Sequence, residues 1–257
     1  MRLSLYRALD RLIVRQPDPA RVGWLRQWTY AHRGLHGETV PENSLAAARG
    51  AIAAGLGIEC DIQRSRDDWP MVFHDWELSR LTGADGDTGD LTKEELQGLH
   101  YTRSEERPAT LAELLELVAG QVPLLIEIKS KRGYDVIRTC REVRDALTGY
   151  KGDHAVMSFD PRVARWLRRH SPGTVAGLVM REDKYGYTQK PWERHMALWL
   201  ARPDFLAYHV AALPNPMVAD LRERGLPILT WTVKSPDTRE TARRYADASI
   251  AEGAGLA

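Results

Sequence analysis

Short apolar runs alternate along this chain with longer stretches in which apolar residues recur every three or four positions. The runs that read as strands are TYAHRG (29–34), IECDI (58–62), LLIEIK (124–129), AVMSF (155–159), VAGLVM (175–180), FLAYHV (205–210), PILTWTV (227–233) and ASIAE (248–252). Between them, SLAAARGAIAAG, TLAELLELVAG, YDVIRTCREVRDAL, PRVARWLRRH and PMVADLRERG carry the helical period. Strand then helix, repeated through eight strands, predicts an α/β chain folded as a (β/α)8 TIM barrel. A length of 257 residues suits one such barrel, so 1–257 is expected to be a single domain.

Two segments depart from the alternation. Residues 1–15 set Leu5, Leu9, Leu12 and Ile13 on one helical face and Arg7, Arg11 and Arg15 in an i, i+4 row. This N-terminal amphipathic helix, with a linker to residue 28, either touches a membrane surface or plugs one end of the fold. The second departure is QRSRDDWPMVFHD, which turns at Arg66 to Trp69 and runs back too soon for a helical crossover. A hairpin there pairs positions summing to ~134, which sets His74 beside residue 60. Residues 75–107 then form a polar, Gly- and Asp-rich stretch, expected to be an insertion over the barrel mouth.

Composition narrows the function classes. With 36 basic and 35 acidic residues the net charge is +1, which argues against a nucleic-acid binder. A 43% hydrophobic content is enough for a substantial core. The only cysteines, Cys60 and Cys140, make a disulfide framework unexpected and fit a reducing compartment. No apolar run is long enough to cross a bilayer and no apolar signal core is present, so the expected localisation is cytoplasmic.

The candidate chemistry lies at the carboxyl ends of the first three strands, the rim where barrels build active sites. In GIECDIQ, Glu59 and Asp61 stand two apart, so both carboxylates face one way while Ile58, Cys60 and Ile62 face the other. Glu127 and Lys129 close the third strand at the same spacing, and His32 and Arg33 end the first. Three carboxylates without a cysteine or a spaced histidine pair form an oxygen donor set suited to Mg²⁺ or Ca²⁺. Such an ion would stabilise acids whose mutual repulsion otherwise raises one pKa. The same acids could instead pair with Arg33 and Lys129 in a structural ion network, and spacing alone leaves both readings open. His32 and His74 would flank the cluster as acid and base, while the Arg33 fork and the Lys129 ammonium suit a phosphoryl group. In PENS, Ser44 is the expected N-cap of the next helix, and Glu42 is left to orient Arg33 or His32 from behind. The other six histidines read as surface or packing residues.

Taken together, AHRG, PENS, IECDIQ, MVFHD with LSRLTG, PATLAELLEL, LIEIK, MSFD and LTWTV resemble, in order, the motif set of the glycerophosphodiester phosphodiesterase family. The resemblance implies a TIM barrel that uses a divalent cation to hydrolyse glycerophosphodiesters to glycerol 3-phosphate and an alcohol. It further implies that His32 and His74 are the acid–base pair, that Glu59, Asp61 and Glu127 hold the metal, and that Arg33 and Lys129 contact phosphate. Trp231 matches a pocket aromatic of the family, unless it is a tryptophan of the barrel core. The partner is then a small phosphodiester. Two other readings are a lysophospholipase D-type enzyme at a membrane surface, reached through residues 1–15, and a non-catalytic barrel that binds phosphorylated metabolites.

Overall fold

The structure, a computed structural model, describes residues 2–256. The chain packs into two compact units, one of residues Tyr30–His154 and one of the residues up to Thr29 together with those from Ala155 onward. Helix α1 (Arg2–Ile13) and the single turn α2 (Pro19–Val22) open the second of these. Helix α1 does not use Leu5 and Leu12 to plug the fold: they are 61% and 76% exposed, whereas Asp10, and Val14 just past the helix, are buried. Both His195 Nδ1 and Trp199 Nε1 bond the Asp10 carboxylate, at 3.0 and 2.7 Å, on the buried side.

The Tyr30–His154 unit contains β1 (Tyr30–Ala31), α3 (Leu45–Ala53), β2 (Gly57–Arg64), β3 (Pro70–Val72), α4 (Ser79–Thr82), α5 (Lys93–Gln97), β4 (Ala109–Thr110), α6 (Leu111–Val118), β5 (Leu124–Ile128) and α7 (Val136–Ala146). Strand β2 lies parallel to β1, with Ala31 opposite Ile58, and parallel to β5, with Asp61 opposite Glu127. Its far end takes β3 antiparallel in the expected register, Ile62 opposite Val72 and Gln63 opposite Met71. Strand β1 is shorter than 29–34 because Arg33 (φ 56°) and Gly34 (φ 77°) turn into the left-handed region. Only glycine fits at 34, where an added Cβ would come within 2.8 Å of the Ala47 Cβ. Residues 75–107 are less polar in effect than in composition: Leu78, Leu96 and Tyr101 bury against Met71 and Phe73 in a small core.

The remaining unit carries β6 (His154–Ser158), α8 (Pro161–His170), β7 (Val175–Met180), α9 (Pro191–Ala201), β8 (Phe205–His209), α10 (Pro216–Glu223), β9 (Ile228–Val233), α11 (Pro236–Tyr245) and β10 (Ala248–Ala251). These five strands pair in consecutive parallel neighbours, and fully buried Leu178, Leu206 and Ile228 help fill their core. Asp160, Asn215 and Ser235 cap α8, α10 and α11, each followed by proline at the start of the helix. Helices α9 and α11 were not among the sequence-read helices. With β1, β2 and β5 of the other unit, the described residues hold eight parallel strands alternating with helices, the (β/α)8 fold. Cys60 and Cys140 are buried free thiols. No helix among the described residues is long and apolar enough to cross a membrane.

Candidate active site

Glu59 and Asp61 project from one face of β2 and Glu127 from the paired position of β5, so the two-residue period and the register bring three carboxylates together. Each offers an oxygen within 4.8 Å of the other two, and all three are buried. On the opposite face Ile58, Cys60 and Ile62 are buried too.

Cations compensate this cluster unevenly. The Lys129 ammonium lies 2.9 Å from Glu127 and 3.3 Å from Asp61, and the Arg33 Nε lies 3.3 Å from Asp61. Asn43 locks Asp61 further: its amide donates to Oδ2 at 2.9 Å and its side-chain oxygen accepts the Asp61 backbone N–H at 3.1 Å. Among the described residues Glu59 accepts the backbone N–H of Arg33, at 3.0 Å. Burial alone would raise Asp61, but Lys129, His74 and Arg33 hold its carboxyl well below the usual range. For Glu59, burial and the neighbouring charges of Asp61 and Glu127 push the pKa far upward. Lys129 is shifted upward, because the pull of Glu127 and Asp61 outweighs the cost of its burial. Three buried acids against two cations leave one negative charge unmatched, and it falls on Glu59. Both sequence readings thus hold part of the picture: the ion network exists, and it is one positive charge short. An all-oxygen, buried and under-compensated donor set fits a hard divalent cation.

The segment that follows β1 places the remaining groups. Carrying the β1–β2 register one residue further sets His32 level with Glu59. Asn43 takes a left-handed φ of 58°, and its N–H bonds the Arg33 carbonyl at 2.9 Å, which folds the PENS turn onto the strand end. Ser44 caps α3 as expected, accepting from Ala47 N–H. Glu42 orients Arg33 by a 2.6 Å bond to Nη1.

His74 lies just past β3, after Phe73 N–H has bonded the Asp61 carbonyl at 2.9 Å. Its Nδ1 meets the Asp75 carboxylate at 2.5 Å. A carboxylate only accepts, so the proton sits on Nδ1 and Nε2 is left without one. Burial lowers the His74 pKa, with Lys129 and Arg33 adding to the shift and Asp61 opposing it, so the ring is neutral near pH 7. Arg80 clamps the outside, donating to Asp75 and, at 2.7 Å, to Glu42. Gln63 and Thr88 hold the backbone: the Gln63 amide donates to the His74 carbonyl at 2.9 Å and the Thr88 hydroxyl to that of Asp75 at 3.0 Å.

Sequence reasoning missed Asn43 as an acid partner, and it missed Gln63, Asp75, Arg80 and Thr88 altogether. Gln63 continues the period of Glu59 and Asp61, and Asp75 adjoins His74, so both were readable. His36, read as a surface or packing residue, brings a ring nitrogen within 4.8 Å of one of His32.

Trp231 belongs to the other unit, on β9. There Phe159 stands edge-on to it at 5.3 Å, His209 tilts against it at 5.0 Å, and the Arg181 guanidinium sits 5.6 Å from its ring centre. All four are at the carboxyl ends of β6 to β9, and Trp231 is partly exposed there rather than sealed in a core. His209, read as a surface or packing residue, is thus a member of an aromatic cluster.

Comparison with known proteins fits this geometry. Residues 32–251 match the family described as "Glycerophosphoryl diester phosphodiesterase family". A curated glycerophosphodiester phosphodiesterase of Caldanaerobacter subterraneus is 30% identical over 230 residues, spanning 86% of this chain and 90% of that protein. The crystal structure of a glycerophosphodiester phosphodiesterase from Thermotoga maritima is similar at 29% identity and TM-score 0.71, covering 89% of this chain and 95% of that one. A phosphodiesterase of Oleispira antarctica, solved with its product sn-glycerol-3-phosphate, shares the fold at 23% identity and TM-score 0.76, covering 87% and 92%.

Proposed function

The chain belongs to the glycerophosphoryl diester phosphodiesterase family and is a phosphodiester hydrolase; from that premise we propose a metal-dependent cleavage of glycerophosphodiesters to glycerol 3-phosphate and an alcohol, with His32 and His74 as acid and base. The observation that carries the reading is the buried triad Glu59, Asp61 and Glu127, one positive charge short of balance. These three side chains would hold Mg²⁺ or Ca²⁺. Bound there, the cation would neutralise phosphodiester oxygens and stabilise the charge that builds on them. The product in the Oleispira antarctica structure supports glycerol 3-phosphate as the product here.

Arg33 binds a non-bridging phosphate oxygen, its guanidinium held in place by Glu42. Lys129 keeps Asp61 and Glu127 ionised and adds positive potential to the same spot. His74, with its tautomer fixed by Asp75, works through Nε2, and His32 serves on the opposite side of the scissile bond. One imidazole takes the proton of the nucleophile and the other returns a proton to the leaving alkoxide. Trp231 packs against the substrate's carbon skeleton, and residues 75–107 wall the mouth on the side that carries Asp75 and Arg80. The nucleophile is water or a neighbouring glycerol hydroxyl; ¹⁸O incorporation from labelled water, with a search for a transient cyclic phosphate, separates the two routes.

The test is a panel of glycerophosphodiesters assayed after chelation and after readdition of Mg²⁺ or Ca²⁺. Release of glycerol 3-phosphate that falls with EDTA and returns with metal is expected. Full activity in EDTA would sink the cation role, and no turnover of any member would sink the substrate class. A lipid-directed reading is favoured by one observation, the exposure of Leu5 and Leu12 on α1. Hydrolysis of lysophosphatidylcholine in preference to glycerophosphocholine would support it.

A further inference from the structure

Seven large hydrophobic side chains are strongly exposed among the described residues, and six of them belong to one unit: Leu5, Leu12, Tyr185, Tyr187, Trp192 and Met196. Scattered exposure is ordinary, but this concentration is not. The elements that carry them are joined by direct contacts. Tyr6 of α1 stacks on His195 of α9 with ring centroids 4.7 Å apart, so exposed Leu5 and exposed Met196 are each the chain neighbour of a contacting residue. The segment before α9 is braced rather than loose: the Thr188 hydroxyl donates to the Arg181 carbonyl at 2.7 Å, and buried Arg194 donates to the carbonyls of Thr188 and Gln189 at 3.1 and 2.7 Å. Tyr185 and Tyr187, just ahead of Thr188, are about 70% exposed. Along the same flank runs an apolar groove of about 470 Å³ lined by Phe159, Pro161, Tyr187, Trp192, Met196 and Leu200.

Charge on this flank is net positive. Asp183 is paired with Arg181, Glu182 with Arg194, and Asp10 with His195 and Trp199, while Glu193, which lines the groove, accepts the Lys190 backbone N–H at 2.8 Å. Arg7, Arg15, Lys184 and Lys190 are exposed cations. Tyrosine and tryptophan beside lysine and arginine, around an apolar groove, is the composition that suits the headgroup layer of a bilayer, where aromatic rings sit at the polar boundary and cations meet lipid phosphates.

We propose that α1, α9 and the 185–192 segment together form a peripheral docking surface for an anionic lipid bilayer. The surface extends past the N-terminal helix alone, and it uses none of the side chains assigned to hydrolysis. Phosphatidylcholine vesicles and phosphatidylcholine–phosphatidylglycerol vesicles are compared by cosedimentation of the full chain. Binding to the anionic vesicles, weakened by salt, is expected. Trp192→Ser and Tyr187→Ser each lower the partition coefficient at least about tenfold through lost apolar burial. Lys184→Gln lowers it about fivefold through lost charge. His74→Ala binds like wild type. Absence of binding to either vesicle overturns the proposal, as does binding that these surface substitutions leave unchanged. A wild-type dimer in solution that dissociates with Trp192→Ser also overturns it, because a second copy would then be the occupant. Binding is read without turnover, so vesicle binding can fail while glycerophosphodiester hydrolysis stands, and the reverse.

Discussion

The strand ends of the two units are built differently: one gathers buried acids, the other stacks aromatic rings beside ion pairs such as Arg181–Asp183. In the Tyr30–His154 unit they carry buried Glu59, Asp61 and Glu127 with partly buried Lys129 and Arg33, bonded to one another or to Asn43 and Glu42. In the other unit they carry Phe159, His209 and Trp231, packed ring against ring, with Arg181 over the tryptophan. Buried charges are costly unless every partner is fixed, so the first set is rigid and sensitive to any single loss. Rings contribute area and shape, which degrade gradually. Under the function we propose, the two sets would divide the labour, with bond breaking in the charged set and recognition of the alcohol side in the aromatic one.

The sharpest break is at the imidazoles. His32→Ala and His74→Ala each lose at least about 100-fold in kcat with the fold retained by circular dichroism, the usual worth of a general acid or base; normal turnover in either variant removes that residue from the chemistry. Next is the clamp behind His74. Arg80→Ala lowers kcat about 10-fold or more with little change in KM, the range seen when a group that orients a reacting side chain is removed, and Arg80→Lys restores only part because it cannot fork between Glu42 and Asp75. An unchanged kcat would mean the clamp is only structural. In the aromatic set, Trp231→Ala raises KM several-fold and costs kcat less, about the 0.5–1.5 kcal/mol of one aromatic contact. A kcat loss as large as that of the histidines would erase the distinction between the units.

The smallest effect is on stability against pH. Burial opposes ionisation of Glu42 and Asp75, yet Arg80 with Arg33 holds Glu42 below the usual carboxylate range, and Arg80 with His74 does the same for Asp75. A depressed folded-state pKa gives stability that is present above the unfolded values, about 4.3 and 3.9, and is lost as pH falls through the folded ones. Arg80→Ala should therefore destabilise at pH 6 and much less at pH 3. Because Arg80 is half exposed, the difference is of the order of 1 kcal/mol, or about 2–4 °C in Tm at this chain length. Equal destabilisation at both pH values would contradict the linkage.

Much of this was legible because it is local. All eight strands, the hairpin register that brings His74 level with residue 60, and the Ser44 cap follow from two-residue alternation, turn position and capping chemistry. The acids and basic residues of the site lie on those strands, so their meeting followed once the strands were placed. Helix α9 hid because it buries Arg194 and His195, which breaks the apolar period, and α11 because it buries little but Ala242. That α1 buries Asp10 was hidden for a related reason: its partners lie 185 and 189 residues away. Arg80 stood in LSRLTG without a role, since one of its two partners, Glu42, lies 38 residues back. Polar partnerships over long sequence distance leave no periodic trace.

The central claim is that Glu59, Asp61 and Glu127 share one divalent cation. Anomalous diffraction from Mn²⁺-soaked crystals tests it most directly, on wild type and on Glu59→Gln, with turnover measured in the same Mn²⁺. The account predicts a wild-type peak at roughly 2.0–2.5 Å from an oxygen of each of the three residues, and a peak weakened or lost in the variant along with activity. An empty cluster in crystals of an enzyme that turns over in that Mn²⁺, or a peak bound elsewhere, would contradict it.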